Sequence, residues 1–307
     1  MKKENRSEIT EKGPFRTGSI GLIGRPNAGK STLLNRILGE KVAIVSDKPQ
    51  TTRNRILGIK NEPDAQILVL DTPGIHRPKS RLNDAMVRSA LAVAEEADLV
   101  FLLAEIGKRG LGVDDELLGW VHKTDAPVFM VITKADLVSR EEILPAIEEM
   151  SRKKLFKEIV PVSALKGENI DHLIEVAKTY LPEGPPLFPG DEYTDQPMRF
   201  LAAELVREKI LQKVYQEMPY SVAVKVERYE ENQEKNLISI RAVIYVERDS
   251  QKGILIGKKG EFLKQIGMEA RKELEKLTGG KIYLETWVEV SPGWQNSDQE
   301  LKDLGYE

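Results

Sequence analysis

The sequence predicts two modules in tandem: a mostly parallel α/β domain with helices on both faces of its sheet, then a smaller α+β domain. Three observations carry this. Short apolar runs alternate with amphipathic stretches from Ser19 to Tyr180. The segment Leu181–Pro197 holds five Pro and two Gly in 17 residues, too many to sustain a helix or a central strand. Beyond it the order of elements changes.

In the first module the apolar runs Ser19–Ile23, Gln66–Leu70, Leu99–Ala104, Val128–Thr133 and Glu158–Pro161 read as strands. The stretches Gly29–Leu38, Leu82–Glu96, Asp114–Lys123, Glu141–Lys154 and Ile170–Tyr180 read as helices. Regular alternation of the two implies a parallel sheet covered on both faces. Asn54–Lys60 adds one antiparallel strand beside Gln66–Leu70. The second module reads as a helix over Met198–Glu217, strands over Ser221–Arg228 and Leu237–Val246, helices over Gln251–Ile256 and Glu261–Leu277, and a last strand over Ile282–Val290. The expected division is a flexible extension at 1–17, the first domain at 18–181, a linker at 182–197, the second domain at 198–293 and a tail at 294–307.

Composition excludes several classes of function. The chain has 307 residues, 40% hydrophobic and 31% charged, enough for two cores at roughly 150 residues per domain. It has no Cys, which removes disulfides, thiol catalysis and thiolate metal sites. His76, His122 and His172 are too scattered for a zinc site. A net charge of −3 supplies no global positive field for nucleic acid, so any basic surface is local. No run approaches the ~18 apolar residues of a membrane span. The polar start, Met1–Phe15, has no apolar signal core. The expected location is the cytoplasm.

Gly24-Arg25-Pro26-Asn27-Ala28-Gly29-Lys30-Ser31 matches GxxxxGK[ST] between a predicted strand and a predicted helix. That context points to a phosphate cradle. Backbone N–H groups and the helix N-terminus attract phosphate, Lys30 reaches the β- and γ-phosphates, and the Ser31 hydroxyl takes magnesium; Thr32 follows in the same loop. Asp71-Thr72-Pro73-Gly74 ends the next strand. Asp71 can hold magnesium through a water, and the Gly74 N–H can meet a γ-phosphate. In Gln50-Thr51-Thr52-Arg53, a Thr can complete the magnesium shell; Thr52 is the first choice, although spacing does not separate it from Thr51.

Thr133-Lys134-Ala135-Asp136 ends another strand. The Asp136 carboxylate can accept from guanine N1–H and the 2-amino group, donors that adenine lacks. Ser163-Ala164-Leu165 can bring the Ala164 N–H to guanine O6. Four such motifs at successive strand ends indicate GTP chemistry at the carboxyl edge of a parallel sheet. A Ras-type enzyme places a water-orienting Gln after its DxxG motif; here Ile75 stands there, so hydrolysis without help is expected to be slow.

GRPNAGKST, QTTR, DTPGI, TKAD and SAL together resemble the Era family of P-loop GTPases, of the Era/TrmE type. The resemblance implies a potassium ion at Asn27 that adds positive charge toward the transition state; otherwise Asn27 only shapes its loop. One departure is Thr133, where the family commonly has Asn. Thr keeps a hydroxyl but loses the amide that ties the base loop to the phosphate loop.

In the second module, Gly257-Lys258-Lys259-Gly260 between two helices fits the GXXG loop of a KH domain, and the order α-β-β-α-α-β is that of the type II KH fold. From Lys252 to Lys281 eight Lys/Arg, Lys264 among them, face four Asp/Glu; from Ile282 to Glu307 one Lys faces six Asp/Glu. A basic patch beside an acidic tail suits local RNA binding. Of the aromatics, Trp287 is expected to pack into the core and Trp294 to have the better claim to stack a base.

The order of the two modules also resembles Era over nearly the whole chain. That implies GTP/GDP and small-subunit ribosomal RNA as ligands, a role in assembly of the small ribosomal subunit and peripheral contact with the membrane; a monomer is the expected state. Two other readings are a nucleotide-gated module that meets a protein or membrane surface, and a tRNA-modifying GTPase, which the absence of Cys disfavours.

Overall fold

The computed structural model describes residues 13–78, 80–107 and 110–306. The chain runs through β1 (Arg16–Gly24), α1 (Lys30–Leu38), β2 (Ile56–Asn61), β3 (Ala65–Asp71), α2 (Arg81–Glu96), β4 (Leu99–Gly107), β5 (Gly110–Leu111), α3 (Asp115–Val121), β6 (Val128–Thr133), α4 (Arg140–Arg152), β7 (Glu158–Pro161) and α5 (Ile170–Lys178). The sheet order is β2-β3-β1-β4-β6-β7, with β5 paired to β4. Neighbours from β3 to β7 are parallel and β2 is antiparallel to β3.

The side-chain period of two divides this sheet into two cores. Ile20, Leu22, Phe101, Leu103 and Val131 face α1 and α5. Ile23, Val100, Leu102, Met130 and Ile132 face α2, α3 and α4. Both sets are almost wholly removed from solvent, which is why these strands read as unbroken apolar runs. Because β1 lies between β3 and β4, the chain reverses direction across the sheet there. The carboxyl ends of β1 and β3 open a crevice at that point, the usual ligand position in such sheets.

Residues 182–197 form no helix or strand; Glu183 makes a single bridge to Arg16. The second unit follows as α6 (Met198–Leu211), β8 (Ala223–Asn232), β9 (Leu237–Val246), α7 (Asp249–Ile256), α8 (Glu261–Thr278), β10 (Lys281–Val290) and α9 (Asp298–Asp303). Its sheet order is β10-β9-β8, β10 parallel and β8 antiparallel to β9. Val206 and Ile210 of α6 and Ile266, Ala270 and Leu274 of α8 pack on Val224, Ile240, Ala242 and Ile244 of the sheet.

Four features depart from the sequence reading. Residues 1–12 of the expected extension lie outside the described residues, while Arg16 and Thr17 already belong to β1. Helix α6 ends at Leu211, six residues before Glu217, because Lys213 and Val214 turn back on Ile210. Residues 294–306 of the tail carry structure of their own: a turn at Trp294–Asn296 and then α9. The two units also pack closely, and α6 lies between them, which is why its charged residues Glu204, Arg207, Glu208 and Lys209 are buried along with its apolar stripe.

Candidate nucleotide site and the GXXG turn

The crevice beside β1 encloses about 220 Å³ and is lined by Asn27, Lys30, Ser31, Thr52, Gly74 and Lys134, among others including Thr32. Lys30 is 6% exposed. Its Nζ donates to the Gly24 and Arg25 carbonyls, both at 3.2 Å, as an ammonium does when it folds back into its own loop. Burial pulls it down to about 8, against the opposing pull of Asp71. Gly29, at φ 89°, starts α1. Gly74 crosses so close to the loop that a Cβ there would lie 2.6 Å from the Pro26 nitrogen; only glycine permits that approach.

Asp71 is fully buried. Its Oδ2 accepts from Ser31 Oγ at 2.6 Å and from Thr52 Oγ1 at 3.4 Å. Ser31 and Thr52 hydroxyls are 2.7 Å apart. Asp71 Oδ1 is buried with no hydrogen-bond partner. Burial raises its carboxyl above the usual range, opposed by Lys30 and the two hydroxyls. An orphaned carboxylate oxygen next to two hydroxyls is a set of hard donors that suits a magnesium ion. Thr51 is placed elsewhere: its hydroxyl donates to the Lys48 carbonyl at 2.6 Å.

The base end is built by β6. Thr133 Oγ1 donates to the Ala28 carbonyl at 2.8 Å, so the hydroxyl keeps the tie between base loop and phosphate loop. The loss of the amide expected from the sequence does not part the two loops. Lys134 takes left-handed backbone, φ 59°, and its Nζ reaches Glu105 at 2.7 Å. That turn leaves Asp136 half-buried in the short Ala135–Leu137 helix. Ser163 is buried, and Arg36 holds the carbonyls of Ala164 and Leu165. Leu165 points its side chain outward, 72% exposed. Arg36, six residues after Lys30, is a contact that no motif signalled.

Other predicted residues serve the frame. Thr72 is buried and donates to the Leu22 carbonyl at 2.7 Å, away from the crevice; Pro73 is buried beside it. Ile75 is 5% exposed within the apolar cluster of Ile23, Ala90 and Val100. Its N–H donates to the Gly24 carbonyl, and its own carbonyl accepts from Arg25 Nη1. No polar side chain stands there to orient water. Asn27, at φ 64°, donates from Nδ2 to the Asp47 carbonyl at 2.9 Å.

In the second unit, Gly257 (φ 70°), Lys259 (φ 52°) and Gly260 (φ 80°) form the sharp turn between α7 and α8. Lys258, Lys259 and Lys264 are exposed. Among the described residues, the ion pairs along α8 engage Lys41, Lys209, Lys213 and Arg271 and none of these three lysines. The two tryptophans reverse their expected roles. Trp294 is fully buried against Leu82 and Met86 of α2, with Nε1 donating to the Ser221 carbonyl, so it has no face for a base. Trp287 is 54% exposed, with Arg241 over its ring. Trp287 shares its strand face with Glu285 and Glu289, and period two sends all three to solvent.

A GXXXXGK[ST] loop, an aspartate at the end of β3 and a guanine-type loop on one mostly parallel sheet, with a GXXG turn on a separate α+β unit, define a P-loop GTPase joined to a KH domain. Family models agree: the 50S ribosome-binding GTPase family matches residues 19–134 and the KH domain family residues 217–295. GTPase Era of Geotalea daltonii is 53% identical over 95% of this chain and 98% of its own. GTPase Era of Staphylococcus haemolyticus is 46% identical over 95% and 97%. The chain belongs to the GTPase Era family. Among solved structures, Era in complex with MgGDPNP and nucleotides 1506–1542 of 16S ribosomal RNA superposes at TM-score 0.90, with 44% identity over 95% of this chain and 99% of that one. An Aquifex aeolicus Era variant bound to GDP.AlF4- gives TM-score 0.90 at 43% identity, with the same coverage of both chains. The chain is a GTPase that carries an RNA-binding KH domain.

Proposed function

We propose that this chain binds GTP and magnesium in the crevice beside β1, hydrolyses GTP slowly, and grips small-subunit ribosomal RNA through the Gly257–Gly260 turn to assist assembly of that subunit. Residues 18–181 carry the nucleotide and 198–293 the RNA. The observation that carries this reading is the match to the RNA-bound Era structure across both units at once. The 16S segment 1506–1542 of that complex is therefore the probe: specific retention on a filter is expected, and equal retention of an unrelated RNA of the same length overturns it.

Lys30, Gly74, Ala28 and the neighbouring loop amides hold the phosphates. Ser31, Asp71 and Thr52 hold magnesium, which when bound neutralises phosphate charge. Asp136, with Thr133, Lys134 and the Ser163–Leu165 turn, selects guanine. Asn27 holds a potassium ion: the residue lines the crevice, and with its Nδ2 committed to the Asp47 carbonyl its Oδ1 is the atom of that amide that would meet the cation. Hydrolysis is then faster in potassium than in sodium at equal ionic strength. Equal rates in the two salts leave Asn27 as a loop former.

Lys30 gives a pH test. Its pKa of about 8 lies below the ordinary lysine value of 10.5, so its burial costs stability below pH 8, a cost that fades as pH rises toward the ordinary value. Phosphates restore the charged form, and binding takes up a proton between those two values. Titration calorimetry at about pH 8.5 in two buffers of different ionisation enthalpy is expected to give different binding enthalpies. Buffer-independent enthalpy at that pH removes Lys30 from the phosphate site.

No helix among the described residues is long and apolar enough to cross a membrane. A cytoplasmic location, a monomeric state and, on the strength of the family resemblance, peripheral contact with the inner membrane face complete this reading. Light scattering and co-sedimentation with anionic vesicles test them.

A further inference from the structure

Arg53 follows the magnesium-side Thr52 in sequence, yet it is only 3% exposed and reaches into the other unit. Its Nη1 donates to the Val222 carbonyl at 2.7 Å. Its Nη2 donates to the Pro219 and Tyr220 carbonyls at 3.2 and 3.1 Å. Tyr306 Oη lies 3.4 Å from Nη1. The guanidinium also sits 5.5 Å from the Trp294 ring and 5.6 Å from the Tyr306 ring. Among the described residues no carboxylate pairs with it; the charges that act on it are those of Arg207 and Glu204 of α6. A buried cation held by carbonyls and two aromatic faces is costly unless each contact is kept in place.

Other contacts grip the same loop from the same side. Arg207, fully buried, donates to the Thr51 carbonyl. Glu208 Oε1 accepts from the Val45 N–H at 2.9 Å. Lys41 pairs with Glu208 at 2.6 Å and with Glu273 at 2.7 Å. The KH unit thus holds residues 41–53 at several points, and Thr52, between two of them, turns its hydroxyl the opposite way, onto Ser31 and Asp71.

We propose that Arg53 is a positioning residue for GTP hydrolysis: its burial in the KH unit holds Thr52 at the Ser31–Asp71 cation site, so that the RNA-binding domain is a structural part of the magnesium site. Arg53 does not line the crevice and acts through Thr52. This rests on the reading of Thr52 as a magnesium-side residue. A threonine in this loop meets the cation only when a γ-phosphate is present, so loss of Arg53 weakens the triphosphate state and spares the diphosphate state. A general loss of structure weakens both.

The test uses the full-length protein, a fluorescent non-hydrolysable GTP analogue and fluorescent GDP, each titrated with magnesium. In Arg53→Gln, several bonds to a buried charge are lost, and the magnesium midpoint for retaining the GTP analogue is expected to rise about tenfold, with the GDP midpoint unchanged. Arg53→Lys keeps the charge without the planar fork, and an intermediate shift is expected. If Arg53→Gln does not fold, Arg53→Lys carries the test alone. A wild-type midpoint in either folded variant, or equal shifts for the two nucleotides, overturns the proposal. Thr52→Ala separates the two levels of inference. If it raises the GTP-analogue midpoint while the Arg53 variants do not, only the positioning role of Arg53 fails. If it leaves that midpoint unchanged, the assignment of Thr52 fails, and this inference with it.

Discussion

Changing Lys258 and Lys259 to Asp is expected to abolish binding to the 16S segment while nucleotide binding in the crevice persists. Both side chains are exposed at the turn between α7 and α8, with Gly257 and Gly260 giving the backbone its left-handed geometry. Close approach of that turn to phosphates places two cations against two anions. Their removal flattens the log–log salt dependence of residual binding by about 1.4, at roughly 0.7 per phosphate on a single strand. Reversal to Asp adds repulsion on top of the lost attraction. A filter-binding titration across salt reads both quantities. Wild-type affinity and slope in the double variant mean that the turn is only a solvated connection and that RNA lies elsewhere. Neither lysine belongs to the contacts between the two units, so intrinsic hydrolysis serves as the internal control.

Asp136→Asn is expected to lower GTP affinity at least about a hundredfold and to raise preference for xanthosine triphosphate. The carboxylate accepts two hydrogen bonds from guanine donors, each worth ~1.5–3 kcal/mol when one partner is charged. Xanthine carries an acceptor in place of the 2-amino donor, which suits an amide. The turn that presents residue 136 is held by Thr133 on the Ala28 carbonyl and by Lys134 on Glu105, so the exchange is confined to one side chain. Competition between the two nucleotides decides it; undiminished GTP preference in a folded variant places the base elsewhere.

The candidate nucleotide site was largely legible because each part is contiguous in sequence. A phosphate loop, a strand-end aspartate and a base loop are short turns whose geometry follows from their own residues. The same holds for Gly257–Gly260. The choice between Thr51 and Thr52 was not legible, since neighbouring residues differ only in direction, and direction is set by what each hydroxyl meets: Lys48 for one, Ser31 and Asp71 for the other. The placement of Trp287 was legible after all. It shares strand parity with Glu285 and Glu289, a period-two signal stronger than its hydrophobicity. The placement of Trp294 was not. Nothing near it in sequence says that the tail turns back onto α2.

The sequence by itself determined the two modules, the strand-end position of the nucleotide motifs, the basic turn and the family, because periodicity, turn chemistry and motif spacing are local properties. The tertiary structure alone decided how the modules meet. The guanidinium of Arg53 finds carbonyls 166 to 169 positions along the chain and a phenol 253 positions along it. Glu204, Arg207 and Glu208 become interior residues only once both units close over α6. Such contacts leave no periodic trace, because a buried arginine and a solvated one are written with the same letter, and only the fold removes the water from one of them.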